Sequence, residues 1–286
     1  MPSRDPKYYF GRLNIVSAYT VEKRLFLERG LNSGILVAER NYTWGFFEIA
    51  PILVPTTELE AYLTGFLVKY RPSDPEQFVN TATRAIEEQE IRNRIKAKSR
   101  FFLHIKTGII AYQITGEINN KAFRESFSKL LEASYDNLFI DAEVQAINQE
   151  QPFFEAIKRF DSISKISIYL HPSNPSSRDV WKRVDERFKN LGLESYTEVY
   201  KLKPNHPSKL DIEGEEEINS KLRMASDGYG KAKIRGKKDG ENETITTGDN
   251  PIEAEVESSL ENNGNSNEIL QQILPTFKSL FKRIKN

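Results

Sequence analysis

The apolar residues in 268–286 recur at a helical spacing, and a stripe this wide has to be covered by another apolar surface. At about 100° per residue, Ile269, Leu270, Ile273, Leu274, Phe277, Leu280, Phe281 and Ile284 fall within an arc of roughly 140°. Lys278, Lys282, Arg283 and Lys285 lie on the opposite side and towards the C-terminus, where cations complement the helix dipole. Pro275 falls on the polar side of the wheel, so its kink and the freed Gln271 carbonyl can face water while the stripe stays continuous. The preceding segment, 258–267, has the Gly, Asn and Ser content of a flexible linker. Three surfaces could receive the stripe: a groove or membrane-proximal surface of a partner protein, the body of the chain, or a bilayer. The polar linker and the few cations favour a partner protein, so the expectation is a docking helix with the eight apolar residues as its partner-binding face.

Apolar residues make up 38% of the 286, enough for one or two globular domains. Lys plus Arg equals Asp plus Glu at 41 each, so attraction to nucleic acid or membrane has to come from local segregation of charge. The absence of cysteine excludes a disulfide framework, thiolate zinc sites, iron–sulfur clusters and cysteine nucleophiles, and the expected compartment is a reducing cytoplasm. No run approaches about eighteen apolar residues and the N-terminus has no apolar signal core, so neither a membrane span nor secretion is expected.

Residues 8–17, 34–39, 43–53 and 62–70 are rich in aromatic and β-branched residues and punctuated by Gly and Pro, which predicts a β-rich N-terminal unit over 1–74. Composition over 75–99 turns charged and helix-prone, and a helix is predicted over 85–98. A second unit, 75–257, then alternates. Strands are predicted at 101–105, 109–115, 138–147, 163–170 and 196–202, with helices at 119–133, 153–160 and 178–191 between them. The whole predicts an α+β fold: antiparallel-rich sheets with helices on one face, a β-rich N-terminal unit, and an amphipathic C-terminal helix over 268–286.

Catalytic signatures are missing. The phosphate loops Gly-x-x-x-x-Gly-Lys-Ser/Thr and Gly-x-Gly-x-x-Gly are absent, and Gly228-Tyr229-Gly230 reads as a turn. His104, His171 and His206 lack metal-ligand spacing and read as structural. Asp5-Pro6-Lys7 is a lone match to a nuclease acid–lysine pattern, and Glu215-Glu216-Glu217 reads as a helix N-terminal charge cluster. No catalytic residue, metal or cofactor is assigned. An enzyme with a dispersed site, for example a nuclease, and a purely structural adaptor remain the alternatives.

The strongest chemical pattern spans 229–247. If Asp239-Gly240 is a two-residue hairpin turn, Arg235 opposes Thr244, Lys233 opposes Thr246 and Lys237 opposes Asn242. Tyr229, Lys231, Lys233, Arg235 and Lys237 then share one face, while Ala232, Ile234 and Ile245 take the other. Same-face cations about 6.6 Å apart suit the phosphates of an extended strand, and Tyr229 offers a stacking plane. A competing reading places 252–257 beside the hairpin as a third strand whose Glu253, Glu255 and Glu257 neutralise the cations. A second basic run, Arg92, Arg94, Lys96, Lys98, Arg100 and Lys106, adds Arg94 and Lys98 to the candidate nucleic-acid contacts. Phe101 and Phe102 within it read as core residues.

The order of a strand, a Lys106-Thr107-Gly108 turn, a strand at Ile109-Ile-Ala-Tyr-Gln113, a helix over 119–133 and a strand with Asp141 and Glu143 resembles bacterial phage-exclusion proteins of the RexA and Kiwa KwaB type. The resemblance covers roughly residues 101–200 and rests on pattern, with no functional residue carried over. It implies an antiviral defence subunit associated with DNA that acts beside a membrane protein. The combined expectation is a non-enzymatic subunit that contacts nucleic acid and engages a partner protein through its C-terminal helix.

Overall fold

The computed structural model of the chain describes residues 5–17, 22–54, 60–136, 140–173, 178–203, 212, 214–263 and 265–285. The first half builds an eight-stranded antiparallel sheet from β1 (Lys7–Ser17), β2 (Leu36–Glu39), β3 (Tyr42–Val54), β4 (Glu60–Asn80), β5 (Ala85–His104), β6 (Ile109–Gln113), β7 (Ile140–Ala146) and the late strand β12 (Glu253–Glu255). Its order is β12-β1-β6-β5-β4-β3-β2, with β7 also paired to β1. A second, four-stranded sheet runs β11-β10-β8-β9, from β8 (Ser162–Leu170), β9 (Tyr196–Lys201), β10 (Gly230–Lys238) and β11 (Glu241–Thr246). The result is the expected α+β architecture. The boundary expected at 74 falls inside β4, so strands from both sides of it share one sheet.

Helices cover the first sheet on both faces. Against one lie α1 (Lys23–Leu31) and α2 (Asn120–Ala133), which bury Phe26, Leu27, Phe123, Phe127 and Leu130 with Phe101. The other face, with Tyr8, Phe10, Tyr62, Phe102 and Ile109, is covered by α7 (Ser266–Lys285). Phe101 and Phe102 are both fully buried, on opposite faces, as strand alternation requires. Among the described residues the second sheet is covered on one face only, by α3 (Glu150–Lys158), α4 (Lys182–Asn190) and α5 (Glu216–Met224), over Ile166, Ile168, Leu170, Ala232 and Ile234.

Two expectations need correction. The segment 85–98 is not a helix but most of β5, paired with β4 from Tyr62↔His104 to Asn80↔Ala85. Asn80 closes the connection by accepting hydrogen bonds at Oδ1 from the amides of Ala82 and Thr83, and pairing across that turn overrides local helix propensity. Beyond Thr43↔Tyr70, β4 has β5 as its only strand neighbour among the described residues, so Pro72 and Pro75 sit where a missing N–H can point away from the ladder.

The second correction concerns the C-terminal helix, which docks on the chain itself. Ile269, Leu270, Ile273, Leu274, Phe277, Leu280 and Ile284 are buried against the first sheet, and Phe281 packs at the margin. Phe277 stands edge-on to Phe10 and Tyr62, each at 5.2 Å. A stripe spent on the protein's own core is not free to receive a partner. The expected linker contains a short helix, α6 (Ser258–Asn263), and α7 opens on a capping box in which Asn265 and Glu268 each accept the other's amide. Pro275 faces solvent, as its place on the wheel requires. Among the described residues no helix is long and apolar enough to cross a membrane.

His104 is structural, as expected. It lies between Tyr62 and Phe281, at 4.9 and 4.5 Å, with Nδ1 2.8 Å from Thr107 Oγ1. His206 lies outside the described residues. Burial, with Lys23 and Lys106 nearby, pushes the His104 imidazole down to about 4.

Two outcomes follow for stability. Amide exchange across 269–284 should be slow in the isolated protein, and Phe277→Ala should cost about 3 to 5 kcal/mol by denaturant unfolding. For His104, the unfolded chain takes up its proton near pH 6.5 and the folded chain only near 4, so its contribution is complete above pH 6.5 and falls as pH drops towards 4. Urea unfolding at stepped pH should show a loss approaching about 3 kcal/mol from this group, and His104→Gln should flatten the decline between pH 6.5 and 5.

Candidate nucleic-acid interface

The hairpin forms in the expected register: Arg235 pairs with Thr244, Lys233 with Thr246 and Lys237 with Asn242. Its turn needs a positive φ at both Asp239 (52°) and Gly240 (82°), which the Asp-Gly pair tolerates. Strand alternation then buries Ala232 and Ile234 and exposes Lys231, Lys233, Arg235 and Lys237. The expected neutralising strand lies elsewhere. β12 pairs with β1, and Glu253 and Glu255 reach Lys7 at 2.7 and 3.6 Å, which also occupies the lysine of the lone nuclease-like pattern. The hairpin's actual neighbour is β8, which adds Lys165 opposite Arg235, and β9 then adds Lys201 opposite Lys165. Lys165, Lys201, Lys233, Arg235 and Lys237 make no ion pair with a described residue.

Tyr229 is not a stacking plane. Residues Ala225–Tyr229 wind as a π-helical turn before β10 begins, so the outward phase starts at Lys231. Tyr229 is 1% exposed, with the Arg12 guanidinium 4.1 Å from its ring centroid and Trp181 edge-on at 5.2 Å. The turn does hold the Gly-x-Gly motif. Gly228 has φ +83°, and at Gly230 a Cβ would stand 2.0 Å from the Tyr169 carbonyl oxygen, so β10 can approach β8 only with glycine there.

The second basic run is split. Arg94 is bound to Asp74 at 3.5 Å and Glu76 at 3.1 Å, and Lys96 also pairs with Asp74. Hydrogen bonds from Lys96 and from Arg71 hold the Asp74 carboxyl below the usual range. Lys98 remains exposed, its ammonium 4.8 Å from the Phe66 ring centroid. Neither residue is on the hairpin's sheet.

The uncovered face of the second sheet meets α2 across a cleft of about 950 Å³. One wall is the polar side of α2, with Lys121, Arg124, Glu125, Ser128 and Lys129; the other carries Lys231, Lys233, Thr246 and Thr247. Between them lie Glu143 and Gln145 of β7 and Ser167 and Tyr169 of β8. The acids are largely engaged. Asp249 accepts from the Thr246 amide and hydroxyl, and Glu125 pairs with Lys121 at 3.7 Å. Glu143 accepts from the buried His171 at 3.1 Å and lies 3.4 Å from Lys231. Burial pushes the Glu143 carboxyl up, and the contacts from His171 and Lys231 outweigh it, leaving the group below its ordinary value. His171, whose Nδ1 also lies 3.3 Å from the Glu194 carbonyl, is structural as expected. Among the described residues no group of three or more His, Asp or Glu could hold a metal ion.

The α2 wall and the floor were missed by sequence reasoning. Alternation in β8 does mark Lys165, Ser167 and Tyr169 as one face, but not that this face continues the hairpin's.

Two antiparallel sheets with helices packed on them, one sheet carrying a basic face beside a cleft, define an α+β protein. The chain belongs to a family described as a domain of unknown function, DUF4747, whose model matches residues 7–275. No curated protein matches the chain.

Replacing Gly230 by Ala should destabilise the protein by about 2 kcal/mol or more in thermal or urea unfolding, because the clash is with backbone. Gly116→Ala, where an added Cβ meets nothing within 4 Å, should melt like the parent.

Proposed function

We propose that this protein is a non-enzymatic nucleic-acid-binding protein that holds the phosphate backbone on the uncovered face of its second sheet and in the adjoining cleft. One observation carries the reading: on a chain with no net charge, Lys165, Lys201, Lys231, Lys233, Arg235 and Lys237 are gathered on one sheet face, and only Lys231 has a described carboxylate partner. Thr244 lies beside them as a hydroxyl donor suited to phosphate oxygens. Such binding is electrostatic, largely indifferent to sequence, and weakened by salt. The absence of cysteine favours a reducing cytoplasm as its place. A setting in phage defence, beside a membrane partner, rests on the resemblance of residues 101–200 alone.

Substituting Lys231, Lys233, Arg235 and Lys237 together by Gln should flatten the slope of log affinity against log salt by about 2 to 3 and leave the thermal melt intact. Labelled DNA or RNA incubated with the protein, with and without magnesium, should be retarded intact. Unchanged affinity and slope in the quadruple variant would refute the reading, and fragments in place of retarded strands would show an enzyme.

A further inference from the structure

The cleft grades in charge from rim to floor. Lys121, Lys231 and Lys129 have side chains 76%, 59% and 54% exposed, whereas Glu143 is 28% exposed and Gln145 5%. Cations therefore stand at the mouth on both walls, with Glu125, 58% exposed and paired to Lys121, and Asp249, held by Thr246, beside them. The deeper groups are a carboxylate, an amide and the ring of Tyr169. A phosphate is drawn to the rim and repelled from Glu143. A base meets the reverse: its exocyclic amine can donate to the Glu143 carboxylate and its face can lie on an aromatic ring. Tyr169 is half-buried in the cleft, with the Lys231 ammonium 5.1 Å from its centroid and the His171 ring edge-on at 4.9 Å. His171 also fixes Glu143, so the acceptor and the ring are held by one buried side chain.

We infer that the cleft takes an unpaired, amine-bearing base, entering base-first with its phosphates on the cationic rim, so that the ligand is single-stranded nucleic acid. A duplex cannot enter this way, because its bases are stacked and their pairing edges are already engaged. The inference rests on the nucleic-acid reading above and deepens it. Glu143 is the base acceptor, Tyr169 the stacking plane, and His171 a positioning residue.

Fluorescence anisotropy with labelled oligo-dC, oligo-dT and a fully paired duplex, all of about 12 nucleotides, tests it. Oligo-dC should bind about tenfold tighter than the duplex and should be preferred over oligo-dT, which has no exocyclic amine. Tyr169→Leu should weaken oligo-dC about tenfold with the duplex unchanged, and Glu143→Gln should erase the preference for dC over dT with the salt slope retained. Equal affinity for duplex and oligo-dC overturns the inference, as does a dC preference that survives in a folded Glu143→Gln protein; in either case binding that still depends on the hairpin cations leaves the broader reading standing. If Glu143→Gln loses its fold along with the His171 contact, Tyr169→Leu decides: an unchanged ratio of dC to duplex affinity overturns the inference. If the wild type binds none of the three probes, the broader reading falls and takes this inference with it.

Discussion

A carboxylate 2% exposed, Asp227, sits where the two sheets meet, and the arrangement of the molecule depends on keeping it paired. It accepts from the Trp181 indole at 2.8 Å and is bound by Arg283 at 2.6 Å and Arg178 at 3.5 Å. Glu150, at the start of α3, binds Arg178, Arg223 and Arg283 in turn. The knot thus joins the helices of the second sheet to the helix that covers the first. From β1, Arg12 donates to the Asp227 carbonyl and Asn14 to the Gly228 carbonyl, each at 2.9 Å or less. Pulling the sheets apart would take Arg283 from Asp227 and leave buried charges under-compensated, so the knot favours the relation of the sheets that completes it.

The cleft is a consequence of that relation. α2 belongs to the core of the first sheet and the basic hairpin to the second, and the polar sides of both were free of packing duties. Bringing the sheets together at Asp227 sets those sides facing each other with β7 between them. Charge segregation on a neutral chain then arises from topology: acids that could have neutralised the hairpin, Glu253 and Glu255, were drawn to Lys7 by the pairing of β12 with β1.

What the sequence made legible was local. The hairpin register follows from a two-residue turn, and the amphipathic pattern of α7 follows from its own spacing. That spacing says a stripe must be covered and is silent on what covers it, so self-docking could not be read from the helix alone. The helix expected over 85–98 fails for the same reason: Glu, Gln, Arg and Lys favour a helix, while what makes the segment a strand is its partner, 62–80, and the Asn80 turn. At Tyr229 the error was one of phase, since strand alternation was extended through residues that wind as a π turn. Half of the cleft was visible as the hairpin; the other half required knowing that β8 and α2 flank it.

The strand that opens the first sheet waits on the far end of the chain. β1 pairs with β12, where Lys7 meets Glu253 across a separation of 246 positions, and Phe10 is covered by Phe277. Contacts this distant in sequence close late and slowly, because long loops must be fixed before they return any favourable energy. During synthesis, Tyr8, Phe10 and Tyr62 therefore emerge long before the helix that shields them, leaving an adhesive apolar sheet face bare. A nascent chain of this design has its greatest need of a chaperone in that interval, and its aggregation hazard belongs to the half-made protein and not to the finished one.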